Sequence, residues 1–302
     1  MKGGKMSTTS VAKRIQLKNI LYATDFSRAA DAAFPYAAEF ARRFGAKFYA
    51  VHARTPENYV LGAPETWPST NEEYEKQESE LRQVLRNDLP HIETDVLTPE
   101  GAVWSVLRSV IDEEKIDLLV LGTRGRTGIG KFFLGSVAED IVRRASCPVL
   151  TVGPHSPSEP PREGRFGEIL YATDFSEESL AAAPYATSLA QEHQAHLTLL
   201  HVIEKSGAGG AIRPDELEAA ALQRMQKLVL ENAEFRCEPR YLVKEGDPAE
   251  TILEVAKNRK SDLIVLGVRK PEGIPGGATH LPMAVAHNVI AYAVCPVLTV
   301  RA

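Results

Sequence analysis

The sequence predicts an α/β fold in which one domain occurs twice in tandem, each copy a parallel sheet covered by helices on both faces. Three observations predict it. Residues 20–27, Ile-Leu-Tyr-Ala-Thr-Asp-Phe-Ser, return unchanged as residues 169–176, and residues 147–152, Cys-Pro-Val-Leu-Thr-Val, return as residues 295–300. Identical blocks in matched order mark a duplicated unit. Within each copy, continuous apolar runs such as Leu118-Leu119-Val120-Leu121 alternate with stretches of helical periodicity. Such runs belong to strands buried on both faces, as in parallel sheets.

The first strand is Asn19–Ala23, ended by Thr24-Asp25. Ser27 is placed to cap the following helix by accepting a bond from a free backbone N–H. That helix runs toward Phe44 and stops at Gly45, a residue that readily takes the left-handed cap conformation. Pro35 falls inside it, as Pro184 does in the second copy. An interior proline costs about 3 kcal/mol unless the helix bends, so a local kink is expected in both. Residues 48–52 form the second strand. A polar loop, residues 55–71, leads to a charged helix over residues 72–89. Residues 94–97 are the third strand, 103–113 a helix and 117–121 a strand ending at Gly122. Residues 136–144 are the last helix and 149–152 the last strand. The second copy repeats this order. Its third helix opens with Asp247-Pro248, a cap residue followed by proline at the first helical position, and residues 262–267 form its fourth strand. The expected domains are residues 15–153 and 166–302. The connection, 154–165, carries four prolines and reads as a stiff, extended spacer.

Composition narrows the function. The 302 residues suffice for two domains with separate cores. A net charge of −5 provides no global field for nucleic acid or an anionic membrane. No apolar stretch approaches a membrane span, and residues 1–10 hold lysines without an apolar segment behind them, unlike a secretory signal. The start could be Met1 or Met6. Cys147, Cys237 and Cys295 lack the spacing of a zinc site and, being odd in number, do not suggest a disulfide framework. Small buried thiols in a reducing cytoplasm are the simpler reading.

The candidate site is the loop over residues 122–136, Gly-Thr-Arg-Gly-Arg-Thr-Gly-Ile-Gly-Lys-Phe-Phe-Leu-Gly-Ser. It leaves the C-terminal end of a strand and ends where a helix starts, the place where open parallel sheets bind ligands. Glycines let backbone N–H groups approach phosphate oxygens. Ser136 adds a hydroxyl at the positive end of a helix dipole, and Arg124, Arg126 and Lys131 add charge. Together these describe a triphosphate cradle. Gly125, Gly130 and Lys131 nearly match a Walker A loop, but Phe132 stands where a Mg²⁺-binding hydroxyl is required. That near match reads as coincidence.

Gly122, Gly125, Gly135 and Ser136 are spaced as in the nucleotide-binding signature of the ATP-binding universal stress proteins, which both copies resemble over nearly their whole length. Asp25, Val51-His52 and the closing Cys147-Pro148-Val149 also look like this family. The resemblance implies two tandem doubly wound domains, each with a five-stranded sheet of order 3-2-1-4-5, so that Asp25 and Gly122 flank the crevice. It implies ATP, possibly with Mg, held by Gly122, Arg124, Gly125, Gly135, Ser136 and Val137, with Ala23, Thr24, Asp25 and Val51 lining the adenosine side. It also implies antiparallel pairing of the last strands.

The second copy departs from this pattern. Lys270 replaces the second glycine, and Met283-Ala284 stand where Gly135-Ser136 stand in the first. Asp25 has two readings, contact with ribose, base or indirectly a cation, or capping of the next turn. Asp174 reads as the cap, and His52 and His201 as structural histidines. No catalytic set can be argued, and the Ser-Gly-Gly loop of adenylylating enzymes is missing after the first strand. The leading expectation is a cytoplasmic stress-response or signalling module that binds one ATP in its first domain and has no nucleic-acid or membrane partner. A nucleotide-independent pseudo-dimeric scaffold and a slow ATPase are the alternatives, and a homodimer is possible.

Overall fold

The computed structural model describes residues 14–54, 71–123, 134–157, 159–161, 164–204, 213–230, 238–269 and 280–302, without the side chains of 71, 214, 230 and 280–284. The first half contains β1 (Asn19–Ala23), α1 (Arg28–Phe44), β2 (Lys47–Val51), α2 (Asn71–Asp88), β3 (Thr94–Leu97), α3 (Val103–Glu113), β4 (Leu118–Gly122), α4 (Ser136–Arg144) and β5 (Val149–Val152). The second contains β6 (Glu168–Ala172), α5 (Glu177–His193), β7 (His196–Ile203), α6 (Pro214–Leu230), β8 (Arg240–Glu245), α7 (Pro248–Arg259), β9 (Leu263–Val268), α8 (His280–Tyr292) and β10 (Val297–Arg301). The α/β class and the two matched domains stand as predicted.

The strands form one ten-stranded sheet in the order β3-β2-β1-β4-β5-β10-β9-β6-β7-β8. Pairing is parallel within each half, while β5 and β10 meet antiparallel with Leu150 opposite Leu298. Two buried hydroxyls cross this seam. Thr151 donates to the Val297 carbonyl at 3.1 Å and Thr299 to the Val149 carbonyl at 3.2 Å. Each hydroxyl is thus satisfied without water, which a buried polar group requires.

Side chains alternate across the sheet and build two apolar layers that run through both halves. Ile20, Tyr22 and Leu298 pack under α1, α2, α5 and α6. Leu21, Leu119 and Val297 pack under α3, α4, α7 and α8. Helix α1 lays Ala30, Ala33, Ala37 and Ala41, all buried, on the sheet; small side chains at this spacing bring helix and strand backbones close. Pro35 and Pro184 break neither helix, and each runs 17 residues without interruption. Burial of these alanine faces offsets the hydrogen bond each proline removes.

The connection between the halves is not a free spacer. The Tyr36 hydroxyl donates to the carbonyls of Pro157 and Glu159 at 3.0 and 3.2 Å, and Phe166 is buried with its ring 5.9 Å from Phe40. Phe166 in turn donates its N–H to Nδ1 of His193 at 3.2 Å. Among the described residues, no helix is long and apolar enough to cross a membrane.

Candidate functional site

The C-terminal ends of β1, β2 and β4 lie side by side, with Ala23 registered to both Val51 and Leu121. Beyond β1 the chain turns sharply into α1. Phe26 takes a left-handed φ of 59°, unfavourable for a bulky residue, and polar bonds hold it there. Phe26 N–H donates to Thr24 Oγ1 and Ser27 N–H to Asp25 Oδ1, both at 3.0 Å. Ser27 then caps α1 by accepting from Ala30 N–H. Thr24 N–H donates to the Val51 carbonyl, and its own carbonyl lies 2.9 Å from His52 Nδ1. The buried His52 ring packs tilted against Phe26, the centroids 4.7 Å apart.

The second domain repeats every part of this turn. Phe175 has φ 62°, Thr173 Oγ1 accepts from Phe175 N–H, Asp174 Oδ1 accepts from Ser176 N–H, and His201 Nδ1 sits 2.8 Å from the Thr173 carbonyl. Burial raises the Asp174 carboxyl pKa, but the bonds from Ser176 and Ser179 outweigh it and the net shift is downward. Thr24, Asp25 and His52 therefore have a structural task in both copies. Capping of the next turn by Asp25 was one of its readings in the sequence; the left-handed phenylalanine was not legible there.

Gly122 ends β4, paired with Val152. A Cβ built on it would lie 2.4 Å from the Ala29 carbonyl oxygen and 2.9 Å from Ala30 N, both α1 backbone. Gly267 meets the same obstacle, 2.2 Å from the Glu178 carbonyl oxygen. The glycine at this strand end serves the contact with the helix, whatever the adjoining loop binds.

The neck of the loop is closed by Thr123, which the sequence did not single out. It is buried, its N–H donates to the Val152 carbonyl at 3.0 Å, and its carbonyl accepts from Gly135 N–H at 2.9 Å. Residues 124–133, including Arg124, Gly125, Arg126 and Lys131, lie outside the described residues, as does Lys270. The helix cap is Gly135 rather than Ser136. Gly135 provides no side-chain bond to the first turn, and Ser136 is the first helical residue. Ser136 and Val137 are exposed, the latter 49%. Among the described residues the first turn of α4 thus has no side-chain cap, and it carries an exposed hydroxyl, groups that suit an anion.

The matching helix is built differently. Arg144 and Tyr292 end α4 and α8 at equivalent positions, yet α8 has 13 residues and α4 nine. The extra residues are N-terminal, so Met283 and Ala284 lie inside α8 instead of at its start. The free helix end is displaced by about 6 Å, one turn. Cys147 and Cys295 are buried free thiols, and burial pushes both up to about 12, which leaves neither a reactive thiolate.

A family model described as the universal stress protein family matches residues 16–153 and 165–301. A universal stress protein of Mycolicibacterium smegmatis is 28% identical over 296 residues, covering 93% of this chain and 96% of that protein. A universal stress protein of Methanocaldococcus jannaschii is 31% identical over 140 residues, 45% of this chain and 81% of that protein. In fold, the chain is similar to the crystal structure of a universal stress protein from Archaeoglobus fulgidus, with a TM-score of 0.69 at 17% identity, covering 95% of this chain and 99% of the other.

Proposed function

The chain belongs to the universal stress protein family, and from that premise we propose that its first domain binds one ATP and that the protein works as a nucleotide-dependent stress-response or signalling module. The observation that carries this reading is the different start of two matched helices. In the first domain Gly135 and Ser136 begin α4, with the Gly135 N–H bonded to the Thr123 carbonyl just past β4. In the second the same positions lie inside the span of a longer helix. The backbone N–H groups of the first turn of α4 and the Ser136 hydroxyl would hold phosphate oxygens, with Gly125 and Arg124 supplying the approach and the charge. Ala23, Asp25 and Val51 would line the adenosine side. A Mg ion would accompany the phosphates as part of the ligand.

Titration calorimetry with ATP tests this. One site per chain is expected, abolished by Gly125→Val in a folded protein. A stoichiometry near two, falling to one in that variant, would show that the second loop also binds. The scaffold reading has one specific support, the single sheet and shared layers that make the chain a self-contained pair. Unchanged heat on titration of any adenine nucleotide would favour it.

A further inference from the structure

Two side chains of the second domain reach across to α4. Arg301, at the end of β10, donates through Nη2 to the Val142 carbonyl at 2.9 Å and also to the Arg143 carbonyl. These are last-turn carbonyls with no further helix to bond. His287, on α8, places Nδ1 3.9 Å from Oε2 of Glu139 in the first turn of the same helix. A cation at the C-terminal end complements the negative pole of the helix dipole, and a second contact near the N-terminal end restrains the helix along its length.

The His287–Glu139 contact joins matched positions and serves both helices, whereas the Arg301 grip has no reverse among the described residues. Gly153 occupies the place of Arg301 in the duplicated sequence, facing the C-terminal turn of α8. A Cβ there would lie 3.4 Å from the Ile290 carbonyl oxygen, and Ile290 is the counterpart of Val142. So one helix of the pair is held by an arginine and the other meets a glycine. The helix that is held is the one whose first turn begins at Gly135-Ser136.

We propose that the second domain positions the first domain's anion-binding helix, and that ligand binding at Gly135-Ser136 is thermodynamically linked to the β10–α4 joint through Arg301. The proposal rests on the nucleotide reading above. Nine residues of α4 span about 14 Å, so a rigid helix carries a restraint at Arg143 to the end that meets the ligand. Without Arg301 the helix can shift or fray, and part of the ligand's binding free energy is used to order it. Linkage is reciprocal, so the ligand must tighten the joint. Arg301 is here a positioning residue. It lies on the last strand, away from the nucleotide crevice.

The test uses the full chain, ATP as the probe, and four proteins: wild type, R301M, R301K and R240M. Arg240 pairs with Glu168 at 3.1 Å elsewhere in the second domain and serves as the control. R301M is expected to bind ATP about 5–10-fold more weakly. R301K, which keeps the charge and a donor, is expected to recover most of that loss, and R240M to bind like wild type. Backbone hydrogen exchange in α4 should quicken in R301M without ligand, and ATP should slow exchange in wild-type β10. Unchanged affinity in folded R301M overturns the linkage, and so does an equal loss in R240M, which would mean a general loss of stability. A wild type that binds no ATP refutes the functional reading itself and the linkage with it. That failure shows in the wild-type arm alone, before any variant is compared.

Discussion

The loop after β4 and the loop after β9 start alike and end differently. Gly122 and Gly267 each stop a strand against the backbone of the next helix, with a Cβ excluded at 2.4 and 2.2 Å. The turns after β1 and β6 agree down to the left-handed phenylalanines and the histidines that bond the threonine carbonyls. At the far end of the loops the agreement stops, where α4 begins at Gly135-Ser136 and α8 begins a turn earlier. The comparison separates two kinds of residue inside what looks like one motif. Gly122 and Asp25 answer to the fold, because the copy with the altered loop keeps both. Gly135 and Ser136 have no such counterpart, and the proposed nucleotide site rests on that difference.

The largest expected effect tests the part that the copies share. Gly122→Ala and Gly267→Ala should each cost about 2–3 kcal/mol in urea unfolding, because each forces a methyl into helix backbone. A tolerated Gly122→Ala beside a damaging Gly267→Ala would break the equivalence and return Gly122 to the ligand.

A second difference lies at the junction of the halves, where His193 in α5 corresponds to Phe44 in α1. His193 is 2% exposed and packs 4.6 Å from Phe166. Burial first, then the nearby Arg43, lowers its pKa from 6.5 to about 3. Its Nδ1 accepts the Phe166 N–H, so the folded state holds the neutral ring. The unfolded chain takes up the proton near pH 6.5 and the folded one only near 3. The contribution to stability is therefore complete above pH 6.5 and lost as pH falls toward 3, at up to about 1.4 kcal/mol per pH unit. Denaturant melts from pH 7 to 4 should show a shallower decline in His193→Phe than in wild type. Parallel declines would mean that the histidine is already charged in the folded protein.

Ser136→Ala should weaken ATP binding by about 1.5–3 kcal/mol if the hydroxyl bonds a charged phosphate, with little change in melting temperature. Ala284→Ser should create no second site, because that position is interior to α8. Calorimetry on both variants sharpens the contrast between the two helix starts.

The smallest effect concerns the ends of α1 and α5. Gly45 and Gln194 both close their helices in the left-handed region, at φ 60° and 55°. Only the glutamine carries a Cβ penalty, about 1 kcal/mol. Gln194→Gly should raise stability by up to about that amount, and Gly45→Gln should lower it, as read from thermal unfolding.

By itself the sequence determined the duplication, the order and type of the elements, the serine cap of α1 and the proline-led start of α7. These depend on a few neighbouring residues, on the period of apolar side chains and on which residues can satisfy a free helix end. It also marked the strand-end loop and its asymmetry, since matched copies can be compared letter by letter. Tertiary structure alone decided why Gly122 is glycine, because the obstacle is Ala29, far back in the chain. It alone decided that the proline-rich connection lies bound along α1, that α8 starts a turn earlier than α4, and that Arg301 holds Val142 from the other half of the molecule. The physical reason is one of range. Propensity and capping act within a turn or two of helix, whereas steric exclusion and the satisfaction of buried polar groups act between whatever residues the folded sheet brings together.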